Sequence, residues 1–393
     1  MGNFLCSRSH RSRAPVTCLT TWGYRMLSAR KGLLAAAVFA VSGAVFGGSV
    51  ANAAEPAPVT QQTEEVFAGG SSNGSSSGSG TSSGSAAKRI LGVPRSGLGW
   101  HSGAWVGGRF DTDTINDFGA WRGRPADIVT TYAEKSSYQA MMEETWSIDT
   151  WKGFAGKLNY GLPLLPDSGE GSLDSIAGGQ QDHVWRKVAQ NLKARDRGDS
   201  VVRIGWESNL KDWRWHVTAD NADQFKAAFR RIVTVMRAEA SGLSFEFGVG
   251  CGSGLSGASD RLAPLTLVYP GDDVVDLVGC DTYDWWSTHA TNDATWSNVL
   301  KAPYGPGVQD VAEFARKHRK GASYGEWGLA TPSNGDGGGD NPYYIRAMFH
   351  FFSTNKDVVA FECYFDEPAP YIANSLYGTD QNPAAKAVYA ELW

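Results

Sequence analysis

The sequence predicts an α/β fold of the (β/α)8 (TIM) barrel type, and three observations carry that prediction. Eight short apolar runs suited to buried parallel strands alternate with segments of helical period. Parallel neighbours need crossover connections, which are right-handed almost without exception, and eight such units fit a closed barrel best. The foldable stretch, from Ile90 to Trp393, runs to about 300 residues, which exceeds most single domains and is usual for a barrel with insertions. The competing open doubly wound sheet would bring a G-x-G-x-x-G after an early strand, and none is present. No repeat at solenoid or propeller periods is visible.

In chain order, residues 1–53 read as an export leader. Arg25, Arg30 and Lys31 precede LLAAAVFAVSGAVF, and Ala51, Asn52 and Ala53 supply small residues at the cleavage positions. Met1 and Met26 are both open as the start. The apolar run 32–50 is broken by Ser42, Gly43, Gly47, Gly48 and Ser49, so no stable membrane insertion is expected and the predicted location is secreted, extracellular or in the cell envelope. Residues 54–89 form a disordered linker by composition, since GGSSNGSSSGSGTSSGS holds too few apolar side chains to pack. The barrel domain, 90–393, then offers strands over 97–106, 127–133, 158–165, 201–207, 244–250, 275–283, 322–328 and 358–365. Each is a short run dense in β-branched, aromatic or other apolar residues. Helices are predicted over 182–195, 222–240, 308–318, 343–353 and 383–392, where apolar residues return at helical spacing.

Composition narrows the function. With 42% hydrophobic and 20% charged residues, a wholly disordered or collagen-like chain is excluded. Loss of the leader removes six basic and no acidic residues, so 30 basic groups would face 41 acidic ones, a net charge of −11. Such a surface repels a polyphosphate, and nucleic acid is not an expected partner. The exported part keeps Cys251, Cys280 and Cys363, without metal-ligand spacing; a bridge between Cys251 and Cys280 and three buried thiols are both open. There is no G-x-S-x-G, H-E-x-x-H or Walker A motif. The run DGGGDN at 336–341 lacks the EF-hand pattern and reads as a solvated loop rather than a calcium site. No metal and no cofactor are expected, and the chain is read as a monomer.

In such a barrel the site lies at the C-terminal strand ends, where two glutamates stand out. The fourth run, VVRIGWESN, ends in Glu207 and the seventh, ASYGEWGLA, in Glu326. Carboxyls on these two strands face each other across the mouth, so the separation of about 5 Å that suits retaining glycoside hydrolysis is available. Acetal cleavage needs one acid and one ionised nucleophile, and the assignment made here is Glu207 as acid/base and Glu326 as nucleophile. Arg203 alternates with Gly205 and Glu207, so it is expected to point into the barrel and to need a carboxylate partner, Glu326, Asp281 or both. Tyr283 shares a face with Asp281 and is a candidate donor to the nucleophile. Asn209 is a candidate donor to a sugar hydroxyl, with turn capping as the alternative. His101 is a candidate sugar ligand or a structural histidine.

Pyranose rings present flat C–H faces that stack on indole and phenol, so strand-end aromatics are the second signal. The candidates are Trp100, Trp105, Trp206, Trp213, Trp215, Trp285, Trp286, Trp327 and Tyr364, of which about half are expected to face ligand. At VVRIGWESNLKDWRW, YPGDDVVDLVGCDTYDWW and YGEWGLA the sequence resembles glycoside hydrolase family 26 of the large clan A, over roughly Trp100 to Trp393. The resemblance implies a (β/α)8 fold and endo-acting retaining hydrolysis of a β-linked polysaccharide, most often mannan. Glu207, Glu326 and Tyr283 occupy the family's acid/base, nucleophile and assisting-tyrosine positions. Two departures lie at the cleft: Trp206 stands where the family's mannanases usually carry His, and the stretch from Glu207 to Trp213 is a residue longer. They keep β-glucan, xylan and envelope or exopolysaccharide open beside mannan. A non-catalytic carbohydrate-binding barrel is the alternative of another class.

Overall fold

The computed structural model describes residues 84–109, 111–285 and 289–393. The predicted leader, most of the linker and Trp286 lie outside the described residues. Eight parallel strands close a barrel in sequence order: β1 (His101–Trp105), β2 (Ile128–Tyr132), β3 (Lys157–Leu162), β4 (Val201–Ile204), β5 (Ser244–Gly250), β6 (Leu277–Tyr283), β7 (Gly321–Gly328) and β8 (Val359–Phe365). β8 pairs back onto β1 from His101 opposite Phe361 to Trp105 opposite Phe365, which closes the ring.

Among the described residues the helices are α1 (Ala86–Ile90), α2 (Thr112–Trp121), α3 (Tyr138–Glu143), α4 (Trp146–Asp149), α5 (Leu173–Ala177), α6 (Asp182–Lys193), α7 (Ala222–Glu239), α8 (Ala263–Thr266), α9 (Asp293–Leu300), α10 (Val308–Lys317), α11 (Pro342–Thr354) and α12 (Pro383–Leu392). All eight predicted strands and all five predicted helices are present. The chain is already helical at Ala86, ahead of the expected boundary at Ile90, because Ala86 and Ala87 are fully buried and the Ala86 amide donates to the Asp357 carbonyl.

The helices pack by their apolar stripes. Phe225, Phe229, Ile232, Val233 and Met236 of α7 are buried, a helical spacing set against the outer face of the sheet. Much of the tryptophan content lies in an aromatic block outside the barrel, where Trp393 stacks on Tyr389 at 4.5 Å and Trp327 packs on Tyr364 at 5.0 Å. One buried carboxylate holds that block together. Glu362 accepts the indole N–H of Trp327 at 2.5 Å, of Trp393 at 2.9 Å and of Trp100 at 3.4 Å. Cys251 and Cys280 form a disulfide with Cα atoms 5.5 Å apart, joining the end of β5 to β6. No helix of the described residues is long and apolar enough to cross a membrane.

Candidate active site

The site is built from strand ends. β4 stops at Ile204, earlier than the predicted Glu207, because Gly205 turns at a φ of 54° and Glu207 itself at 51°. The left-handed region costs a β-carbon residue about 1–2 kcal/mol, so the turn at Glu207 is a locally strained feature that the surrounding loop must hold. Arg203, still on the strand, points into the barrel as alternation requires. Glu207 reaches the mouth through the turn and not by continuing the pleat.

Arg203 is 1% exposed and binds three carboxylates: Nε to Glu246 Oε1 at 2.9 Å, Nη2 to both Asp281 oxygens at 2.5 and 2.6 Å, and Nη1 to Glu326 Oε1 at 3.2 Å. The two partners expected from sequence are therefore engaged together. Gly325 makes room for this arrangement, since a β-carbon there would lie 2.7 Å from the guanidinium carbon. Burial by itself would favour loss of the guanidinium proton, but the charges of Asp281, Glu246 and Glu326 outweigh it and hold Arg203 protonated. Burial pushes the Asp281 carboxyl up, opposed by Arg203 and assisted by Glu326, Glu207 and Glu246. Asp281 also accepts the Glu326 amide at 3.1 Å, so it fixes the backbone of β7 at Glu326.

Glu326 is 8% exposed and its two oxygens are both held by phenols. Tyr283 donates to Oε2 at 2.8 Å, and Tyr132 donates to Oε1 beside Arg203. Burial and then the Glu326 charge push both phenols well above the ordinary tyrosine range, so both remain protonated donors. Tyr132 was missed in the sequence reading, although it stands where the second apolar run, IVTTY, stops, the signal applied to the other strands. Glu246 was missed too; its signal is a lone charge inside SFEFGVG.

Glu207 is half-buried at the mouth and accepts the Trp213 indole N–H on Oε2 at 2.8 Å. Trp213 stacks on Trp215 at 4.9 Å, and Trp206 meets Trp213 at 5.0 Å, Trp215 at 4.8 Å and Tyr132 at 5.1 Å. Trp105 lies across the mouth, stacked on Phe365 at 5.6 Å and edge-on to Tyr132 at 5.2 Å. Trp105, Tyr132, Glu207, Trp213, Tyr283 and Trp285 are all half-buried, which is the exposure of a cleft lining.

Several predicted ligand residues are not at this cleft. Trp327 and Tyr364 are fully buried outside the barrel, because each neighbours an inward residue, Glu326 or Phe365, and the pleat sends it the other way. Trp100 precedes β1 and packs on Phe349 and Phe352. His101, at the start of β1, bonds the Gly92 carbonyl at 2.9 Å and lines a cavity of about 320 Å³ with Asp127 and Lys157 at the N-terminal face, the end opposite the glutamates. Burial lowers its pKa below the ordinary histidine value. Asn209 uses its amide within the rim: it donates to the Gly250 and Ser253 carbonyls at 3.0 and 2.8 Å and accepts the Gly250 amide at 2.7 Å. Trp215 is buried, with its N–H on the Trp206 carbonyl at 2.9 Å. Arg203 and Asp281 lie beneath the cleft and act through Glu326. In the DGGGDN loop Asp340 accepts the Ala384 and Ala385 amides at the start of α12.

Fold and site together define a class: a (β/α)8 barrel with one glutamate in the turn after β4 and another on β7, the latter clamped by two phenols and a guanidinium. No family model matches the chain. It is 25% identical over 312 residues to Endoglucanase H of Acetivibrio thermocellus, covering 77% of this chain and 31% of that protein. It is 24% identical over 219 residues to beta-1,3-xylanase TXYA of a Vibrio species, covering 53% of this chain and 41% of that protein. The chain thus spans less than half the length of either relative. A modular endo-beta-1,4-mannanase from Cellulomonas fimi, described with the family 26 mannanases, has a similar structure, with a TM-score of 0.56 and 16% identity over 78% of this chain and 74% of that one. The catalytic domain of a family 26 endo-beta-1,4-mannanase from Bacillus sp. JAMB-750 matches with a TM-score of 0.53 and 16% identity, over 78% and 89%. At that identity these likenesses establish the fold, and they fall in the family whose motifs the sequence resembles.

Proposed function

We propose that this chain is an exported retaining endo-β-glycoside hydrolase acting on a β-linked polysaccharide. The observation that carries the reading is the Glu326 carboxylate on β7, held on both oxygens by Tyr283, Tyr132 and Arg203. Three donors engage both oxygens of Glu326 as acceptors and fix its orientation, an arrangement that suits a nucleophile and not a proton donor. Glu326 attacks the anomeric carbon while the bond to the leaving sugar breaks and the Glu207 proton goes to the leaving oxygen. Water then attacks the same carbon, gives its proton to Glu207 and frees Glu326. The donors that stabilise the carboxylate also make it a better leaving group in this second step.

Mannan is the first substrate to try, from the resemblance to family 26. A β-glucan reading is favoured by Trp206 in place of His and by the likeness to Endoglucanase H. The test is reducing-sugar release by the domain 86–393 from β-mannan, glucomannan, mixed-linkage glucan, β-1,3-xylan and β-1,4-xylan, run beside Glu326→Ala. Activity on one polymer that disappears in the variant supports the reading. A folded, silent parent across the panel that still binds polysaccharide would instead mark a non-catalytic carbohydrate-binding barrel.

A further inference from the structure

We propose that Trp213 is a positioning residue for the acid/base: its indole N–H holds one oxygen of Glu207 so that the transferable proton faces the leaving sugar. This rests on the hydrolase reading and adds to it the means by which the proton donor is aimed.

Glu207 needs such a device. It lies beyond the end of β4, after the turn at Gly205 and itself at positive φ, so no strand pleat sets its direction. The loop that follows folds back on it. Leu210 donates its amide to the Glu207 carbonyl at 2.8 Å, and Val217 donates to the Ser208 carbonyl at 2.7 Å, which closes the loop and returns Trp213 over the carboxyl. The indole is itself fixed from behind. It lies 6° from parallel with Trp215, which is buried and anchored through its N–H to the Trp206 carbonyl, and Trp206 closes on its edge.

From this braced ring Nε1 donates to Glu207 Oε2 at 2.8 Å. Packing could be met by any flat ring at 213; the bond to Glu207 requires the N–H. A carboxyl that accepts a hydrogen bond at Oε2 carries its own proton at Oε1. That proton goes to the glycosidic oxygen in the first step, and the same oxygen takes one from water in the second. The extra residue between Glu207 and Trp213, a departure from the family pattern, lies in this loop.

The charged and titratable groups around this pair are Tyr283 and Asp281 on β6, Glu326 on β7, Arg203 below, and Lys135, whose ammonium stands 5.9 Å from the Trp213 ring. Asp212 and Arg214 flank Trp213 on its own loop, with Lys211 and His216 close by in sequence. None of them changes in the variants below.

The experiment compares the parent with Trp213→Phe, which keeps a stacking ring and removes the N–H, and with Trp213→Ala. The probes are mannan, mixed-linkage glucan, and the 4-nitrophenyl and 2,4-dinitrophenyl β-mannobiosides and β-cellobiosides. A dinitrophenolate departs without protonation, whereas a sugar needs the acid. The Phe variant is expected to lose about tenfold to a hundredfold in kcat on polymer, within the range that general acid catalysis supplies, with KM unchanged. It should retain the parent's kcat/KM on the dinitrophenyl substrate, which reports the first step alone and needs no proton there, and the alkaline limb of its polymer pH profile should move up, since a donor favouring the ionised carboxyl is gone. The Ala variant should raise KM as well. Equal loss of kcat/KM on all substrates, or no loss on polymer, would overturn the inference while leaving the hydrolase reading intact. A parent inactive on every probe would overturn the reading, and the inference with it.

Discussion

Replacing Arg203 by Met tests the electrostatic floor of the site. The guanidinium is 1% exposed and neutralises Glu246, Asp281 and Glu326, of which the first two are also about 1% exposed as side chains. Its removal leaves buried carboxylates without a counter-charge, a change that costs about 3–5 kcal/mol when one partner of a buried pair is lost. An unfolding entropy of about 2.1 cal/mol/K per residue converts that cost into a Tm lowered by about 5–8 °C for a domain of about 300 residues. Burial already pushes Asp281 up against the pull of Arg203, so without Arg203 it rises further. A carboxyl whose folded-state pKa is raised costs stability once it ionises, and acidification relieves that cost. The deficit of Arg203→Met should therefore be largest near pH 7 and shrink towards pH 4, read by calorimetric melts of both proteins across that range. A deficit of under about 1 kcal/mol at pH 7, or one that does not vary with pH, would refute the reasoning, because exposed pairs behave that way.

Three further outcomes follow from the same contacts. Tyr132→Phe and Tyr283→Phe each remove one donor from Glu326; since a hydrogen bond to a charged group contributes about 1.5–3 kcal/mol, kcat should fall about tenfold to a hundredfold in steady-state assays on the active polymer. The Tyr132 variant distinguishes this site from one with a single assisting tyrosine. Asp366, fully buried and pushed up to about 6 chiefly by burial, binds its proton more tightly folded than unfolded. Its cost is absent below about pH 4 and complete above about pH 6, so Asp366→Asn, compared with the parent in melts at pH 4.5 and 7, should flatten the parent's loss of stability over that window. Reducing Cys251–Cys280, which spans 29 positions, should cost about 3–4 kcal/mol on the chain-entropy account, measured as a lower denaturant midpoint in the Cys251→Ala, Cys280→Ala double variant.

The barrel was legible because its signals are long-range and redundant: eight apolar runs and five helical stripes cannot all be misplaced. The meeting of Glu326 with Tyr283 was legible for a related reason, since both residues end runs whose strand character is plain. Which strand-end aromatics face the cleft was not legible, because a shift of one residue along a strand moves a side chain to the other face. Trp327 and Tyr364 each sit one position from an inward residue and so belong to the outer core, where Glu362 gathers the indoles. The β4 end misled in another way: the run to Glu207 reads as unbroken strand, but Gly205 turns it, and the Glu207 carboxyl is met by a loop of tryptophans. Asn209 looked like a ligand because its type suits sugars; its three bonds to the rim between Gly250 and Ser253 depend on contacts over 40 residues away along the chain. Glu246 and Tyr132 required only attention to a charge in an apolar strand and to a phenol at the end of one.

The central claim is that Glu326 forms a covalent bond to the sugar. Its direct test is incubation of the domain with 2,4-dinitrophenyl 2-deoxy-2-fluoro-β-mannobioside and β-cellobioside, in which the fluorine slows release of the intermediate, followed by intact mass and peptide mapping. A mass increase of one disaccharide unit is expected on the peptide holding Glu326, absent in Glu326→Ala and cleared by a transglycosylation acceptor. Turnover of natural polymer with inverted anomeric configuration and no adduct, or an adduct on another residue, would contradict it.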